Sequence, residues 1–225
     1  MPVLRQALTV TCHYKIAKLR PTYILIIFVG LLLSCNSKDN QSKTIAVTSR
    51  LIHKLDFLNK LKYQKKEIDT LFKRNTKKLI VFAKLTDKEK PVEIKNGNFP
   101  ENVEVSYNIL TDKLGNTVSI TDFPFSESGD WDISYTHYFD KNGKTFAFQR
   151  KANFFNSMCT DGAAFETTIQ FYNTDFQLLD KSYKLVDEKN RKLQKDSCQF
   201  NYNFDYNIYS TREKLFKSIK INNGR

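Results

Sequence analysis

A chain of 225 residues with 40% hydrophobic residues, 18 Phe and 11 Tyr, but only 7 Gly and 5 Pro, has the apolar material for a core and too little Gly and Pro for a fibrous or low-complexity protein. Its formal charge of +12 is unevenly placed: Arg5, Lys15, Lys18 and Arg20 lie near the start, and residues 50–90 hold 13 Lys or Arg against five acids. Beyond these segments the charge is balanced, so the basicity belongs to the N-proximal part of the chain.

Residues 1–20 contain four basic residues and no acid, and Tyr23 to Leu33 is an apolar run of eleven residues. A bilayer span needs roughly 20 apolar residues, so this run is too short to cross one. A basic region, a short apolar region and a small residue before a cut make the pattern of a secretory signal. The run ends in Leu32-Leu33-Ser34-Cys35, which resembles the lipobox read by bacterial lipoprotein signal peptidase. The resemblance implies a signal over 1–34, cleavage before Cys35, and a covalent diacylglycerol and N-acyl lipid on that residue with no other cofactor. It also implies an extracytoplasmic protein held by its lipids to a membrane, taken as the outer membrane, with no nucleic-acid partner. Asn36-Ser37-Lys38-Asp39-Asn40 is similar to short surface-export tags of Bacteroidota-type bacteria, and the mature domain resembles uncharacterised envelope lipoproteins of that group. Residues 35–45 are expected to be a lipidated flexible tether, with a reach of roughly 15 to 20 Å for ten residues. Residues 46–225 are expected to form a single α+β domain.

In the mature chain Val47, Leu51, Leu55, Leu58 and Leu61 recur at three and four residues, which predicts a helix over 46–62, followed by a shorter one around Ile68, Leu71 and Phe72. Lys60, Lys62, Lys65, Lys66, Lys73, Lys77 and Lys78 either solvate this helical segment or face anionic lipid or lipopolysaccharide. Leu79 to Phe82 reads as the first strand. From Val103 the period changes to two: Val103, Val105, Tyr107 and Ile109, then Val118 and Ile120, then Trp131, Ile133, Tyr135, His137 and Phe139. Phe146 and Phe148, Phe165, Ile169 and Phe171, and finally Phe200, Tyr202, Phe204, Tyr206 and Ile208 continue it. Such alternation marks antiparallel strands. Asp140-Lys141-Asn142-Gly143, with an Asn-Gly pair suited to a type I′ turn, and turns at Lys113–Asn116 and Asn173–Asp175 predict hairpins. Ser210-Thr211-Arg212-Glu213 reads as a capping box for a last helix with Leu215, Phe216 and Ile219 on its face. The expected fold is therefore a helical segment, a curved antiparallel meander of seven or eight strands, and a C-terminal helix, with a closed lipocalin-like barrel as the alternative.

Of four cysteines, Cys12 leaves with the signal and Cys35 is the lipid site. Cys159 and Cys198 remain, to be a disulfide, two buried thiols or a redox pair; no Cys-x-x-Cys motif supports the last. Of the two histidines beyond the signal, His53 falls on the basic helix and His137 on an apolar strand face, where a hydrogen-bonded core role is expected. The chain has no nucleophile elbow, zinc spacing or phosphate-binding Gly loop, and no catalytic or metal-binding residue is assigned. Glu127, Asp130 and Asp132 form the one acidic constellation. They either hold Ca²⁺ or act as an acid/base pair beside a sugar stacked on Trp131, or are solvated loop acids. The aromatics at 200–209 either line a ligand groove or fill a core. The functional expectation is a membrane-anchored, non-catalytic binding or accessory protein with an unidentified protein or small-molecule ligand. A carboxylate-dependent hydrolase and a toxin-protection interaction protein are the alternatives.

Overall fold

A computed structural model describes residues 38–75, 79–198, 200 and 204–222. The lipobox Leu32-Leu33-Ser34-Cys35, Lys77, Lys78 and Tyr202 lie outside the described residues. The chain divides into two units, Met1–Ser49 and Arg50–Arg225. Helix α1 (Lys38–Arg74) is followed by strands β1 (Ile80–Leu85), β2 (Val92–Ile94), β3 (Val103–Thr111), β4 (Thr117–Pro124), β5 (Trp131–Phe139), β6 (Thr145–Phe154), β7 (Ala164–Tyr172) and β8 (Leu178–Asp187), and then by α2 (Arg212–Ser218). All eight strands form one antiparallel sheet in the order β2-β1-β3-β4-β5-β6-β7-β8. The sheet is open, with β2 and β8 at its edges, so the barrel alternative is set aside.

The helical segment is one helix of 37 residues rather than two, and it begins at Lys38, within the segment expected to be a tether. No Gly or Pro interrupts Lys38–Arg74, so nothing in the backbone stops it. The apparent gap between the two apolar stretches is Lys65, which continues the buried stripe Leu58, Leu61, Ile68, Leu71 and Phe72. Its ammonium donates to Asp69 Oδ2 at 2.8 Å and lies 4.5 Å from the Tyr138 ring centroid. Burial lowers the Lys65 pKa, with Asp69 opposing that shift. Tyr138 Oη donates to Asp69 Oδ1 at 2.7 Å, tying the helix to the C-terminal end of β5. The helix therefore covers the sheet face carrying Leu110, Tyr138, Ala147, Ile169 and Phe171.

The opposite face carries Ile109, Ile120, Ile133, Phe148 and Ala152, covered by α2, by Phe200 and by residues 204–209. Alternation predicts a strand over Phe200–Ile208, but residues 204–209 are not one. The stretch is a strap that lies across the sheet instead of extending its edge. Phe204 meets Trp131 at 5.0 Å between ring centroids, Tyr206 meets Tyr135 at 4.9 Å, and Phe200 stacks on Phe154 at 3.9 Å. Alternation reports an extended chain with one side turned to an apolar surface, and Phe204 and Tyr206 meet that surface while remaining 42% and 37% exposed. The strands left unpredicted are the two edges, β2 with three residues and β8 with Lys181, Lys184 and Asp180 breaking its pattern. Lysines on an edge discourage pairing with another chain.

Three hairpins at one end of the sheet share a single turn design. In each, a side-chain oxygen accepts from the amides two and four residues ahead: Asp112 from Leu114 and Asn116, Asp140 from Asn142 and Lys144, Asn173 from Asp175 and Gln177. The fourth position is left-handed at Gly115, Gly143 and Phe176, with φ of 82°, 75° and 61°. Because Asn142 does not share the positive φ of Gly143, the expected type I′ turn at 140–143 is corrected to this longer loop. At α2 the helix cap is Thr211, accepting from Lys214 N, so the expected capping box shifts by one residue and Glu213 is not its partner.

Cys159, between β6 and β7, and Cys198, after β8, lie at bonding distance, with S–S 2.16 Å. They pack with Ala164, Leu185 and Leu193. The bond closes a loop of 39 residues in sequence separation, for which chain entropy gives about 4 kcal/mol. Thiol titration of the denatured, unreduced protein should find neither residue free, and Cys159→Ala should lower the unfolding free energy by about that amount. Two reactive thiols would refute the pairing.

Candidate functional site

On the strap face, six residues stand opposite one another in consecutive strands: Tyr107 on β3, Asp122 on β4, Tyr135 on β5, Arg150 on β6, Thr168 on β7 and Tyr183 on β8. This row puts ionisable and hydroxyl groups across a face that is otherwise apolar. Most buried polar atoms find a hydrogen-bond partner, yet Asp122 Oδ1, Tyr135 Oη and Arg150 Nε have none. Three adjacent members of one row thus share the same deficit.

Each group's chemistry follows from burial. Asp122 is pushed up to about 7 by loss of solvent, so its carboxyl is half protonated near neutrality. Tyr135 is raised by burial, with the Arg150 charge and hydrogen bonding to Arg150 pulling the other way. Arg150 is 6% exposed and bonds Glu166, equally buried, through Nη1 to Oε2. Tyr183 Oη donates to Glu166 Oε1 at 2.8 Å. Buried charges persist only when paired in this way.

At its β7–β8 end the row opens into a cleft of about 300 Å³, lined by Arg150, Glu166, Thr168, Lys181, Tyr183, Lys195 and Tyr206. Lys195 Nζ lies 5.2 Å from the Tyr183 ring centroid. Among the described residues neither Lys181 nor Lys195 reaches a carboxylate within ion-pair distance. Tyr206, from the strap, forms one wall, so the strap is part of the site. A larger cleft of about 470 Å³ between α2 and β1–β3 is chiefly apolar, lined by Ile80, Phe82, Ile109, Phe216 and Ile221, and lacks this concentration of hydrogen-bonding groups.

His137, two residues along β5 from Tyr135, is 1% exposed. Its Nε2 accepts from the Tyr209 amide at 3.1 Å, and burial lowers its pKa to about 3. It is therefore a neutral clasp for the strap, and its Nδ1 has no partner. His53 is exposed on α1.

The acidic constellation is dispersed. Glu127 is exposed, Asp130 accepts from Asn156 Nδ2 at 2.7 Å, and Asp132 accepts from Asn153 Nδ2 at 3.2 Å on the helix face. Trp131 points to the strap face, away from Asp132. Among the described residues no three His, Cys, Asp or Glu gather as a metal would require. The row itself escapes a reading of the sequence because its members lie 13 to 18 residues apart and meet only through strand register. Of the described candidates that the sequence offers, Tyr206 from the aromatics at 200–209 is the one that lines this cleft.

Comparison with protein-family models, with curated proteins and with solved structures finds no match.

Asp122 and His137 impose opposite pH dependences. The raised Asp122 pKa favours the fold below 3.8, and that contribution is lost as pH rises toward 7. The lowered His137 pKa favours the fold above 6.5, and that contribution is lost as pH falls toward 3. Between pH 4 and 6.5 the two largely offset each other. In Asp122→Asn the unfolding free energy should climb with pH across that window, by up to about 1.4 kcal/mol per unit more than in wild type. Parallel urea-denaturation profiles would show that Asp122 is ionised in the fold.

Proposed function

We propose that this chain is a lipid-anchored protein of the bacterial envelope, processed before Cys35, whose folded domain binds a small polar ligand beneath the strap without transforming it. The observation that carries the binding reading is the row of buried, unpartnered polar atoms ending in an open cleft. A row made only for stability would leave no such atom unmet or would be apolar, since each unmet buried group costs about 1–3 kcal/mol. A ligand or ordered water that meets those atoms removes the deficit.

The anchor is supported by the basic start, the apolar run and Leu32-Leu33-Ser34-Cys35. A Cys159–Cys198 pair at bonding distance suits an oxidising compartment. The hydrolase alternative loses support because Glu127, Asp130 and Asp132 do not converge. The interaction-protein alternative retains one observation. Phe99, Phe125, Phe155 and Met158 are exposed in loops at the sheet end opposite the three shared turns, a placement that suits contact with another protein. Anionic lipid remains the proposed partner of the basic helix, although Lys62 and Lys65 are engaged with Asp180 and Asp69.

Cys35→Ala should move the protein from the membrane to the soluble fraction and abolish labelling by a palmitate analogue. Labelling that persists in this variant would contradict the anchor. For the binding reading, protein purified from its native membrane should release a small molecule on denaturation, and Tyr206→Ala should reduce the amount recovered.

A further inference from the structure

The clefts, charged patches and unpaired groups of the domain differ in how sharply they specify a ligand, and the β7–β8 cleft specifies one best. It presents three cations, Arg150, Lys181 and Lys195, against one carboxylate, Glu166. That carboxylate is already held by the Arg150 guanidinium and by the Tyr183 hydroxyl, so its charge is answered within the wall. Lys181 and Lys195 are exposed and, among the described residues, meet no acid. The cleft therefore has a surplus of two positive charges over a lining that includes the hydroxyl donors Thr168 and Tyr206.

We infer that this cleft binds an oxyanion of the phosphate class, with Lys181 and Lys195 closing on it from the rim and Arg150 receiving it at the floor. This rests on the binding reading given above and supplies its ligand class. Arg150 is more than nine-tenths buried and lines the cleft, and its pairing with Glu166 already fixes the position of its guanidinium. A pre-positioned guanidinium suits an oxyanion because its donors lie in a rigid plane, whereas the two ammonium groups add charge without demanding one geometry. A cationic ligand would meet a net repulsion. A purely apolar one would leave Arg150 Nε and the lysines desolvated.

The phosphate can belong to a free anion or to a lipid headgroup, and the experiment separates them. Full-length, lipidated protein in a non-ionic detergent is titrated calorimetrically with inorganic phosphate, against chloride at equal ionic strength. It is also mixed with phosphatidylglycerol and phosphatidylcholine vesicles, with and without excess phosphate. Saturable phosphate binding that is weakened at least tenfold in Lys181→Gln/Lys195→Gln is the expected result. Retention on phosphatidylglycerol vesicles that excess phosphate releases assigns the headgroup; absence of such retention assigns the free anion. The double variant changes exposed side chains only, so its fold, checked by its melting profile, should be intact. Arg150→Lys keeps the charge and loses the fork, and should weaken binding as well. Phosphate heats indistinguishable from chloride, or a double variant within twofold of wild type, would overturn the assignment. If phosphate fails while the molecule released from native protein is uncharged, the oxyanion class falls and the binding reading stands. If phosphate fails and nothing is released, both fall.

Discussion

The hydrogen bond from the Tyr209 amide to His137 Nε2 fixes the strap to a central strand, and the strap face of the sheet is organised around it. An open antiparallel sheet has two faces to cover, and a single helix can cover only one. Here α1 covers the face of Tyr138 and Phe171, and the chain after β8 must return across the other. It does so as an extended aromatic segment, held at its far end by Thr145, which donates Oγ1 to Tyr209 O at 2.7 Å and its amide to Ser210 O at 3.0 Å. Arg212 N then bonds Gly143 O at 2.8 Å, which seats α2 against the β5–β6 turn. At Gly143 an added Cβ would meet the Arg212 guanidinium at 3.3 Å, so this approach needs the missing side chain as well as the positive φ.

A strap differs from a further strand in what it can satisfy. A strand at the edge offers backbone groups to its neighbour, whereas a segment lying on a face offers mostly side chains to the polar atoms beneath it. Tyr206 and Phe204 supply rings to Tyr135 and Trp131, which serves the apolar parts of the face. Those ring contacts leave Asp122, Tyr135 and Arg150 each with an unmet polar atom. The same geometry that covers the face therefore leaves polar atoms unmet beneath it, and one of the three residues, Arg150, also lines the cleft at β7–β8.

Much of the architecture is legible in the sequence because alternation and turn chemistry are local. The five central strands and the position of α2 follow from residues near one another in the chain, whereas the cysteine pair follows from those two being the thiols left beyond the signal and the lipid site. Lys65 hides the continuity of α1, since a lysine that buries its stem looks like a break in an apolar stripe. Strand β8 is not legible because an edge strand has only a partial need for apolar residues. Phe200–Ile208 has a strand's alternation, yet residues 204–208 are not a strand, and only tertiary contacts distinguish the two. The site is less legible still. Glu127, Asp130 and Asp132 draw notice by being close in sequence, although Glu127 is an exposed loop residue, Asp130 and Asp132 bond different asparagines, and strand alternation turns Trp131 away from Asp132. Asp122, Tyr135 and Arg150 are far apart in sequence and adjacent in space, and each alone reads as an ordinary strand residue.

Residue-resolved amide hydrogen exchange on the intact protein tests the strap most directly. The account predicts that the Tyr209 and Thr145 amides, donating to His137 Nε2 and Ser210 O, are protected to an extent comparable with the paired amides of β5 and β6. Free exchange at Tyr209 and Thr145, with β5 and β6 still protected, would mean that the segment does not dock on the sheet and that the polar row has no cover.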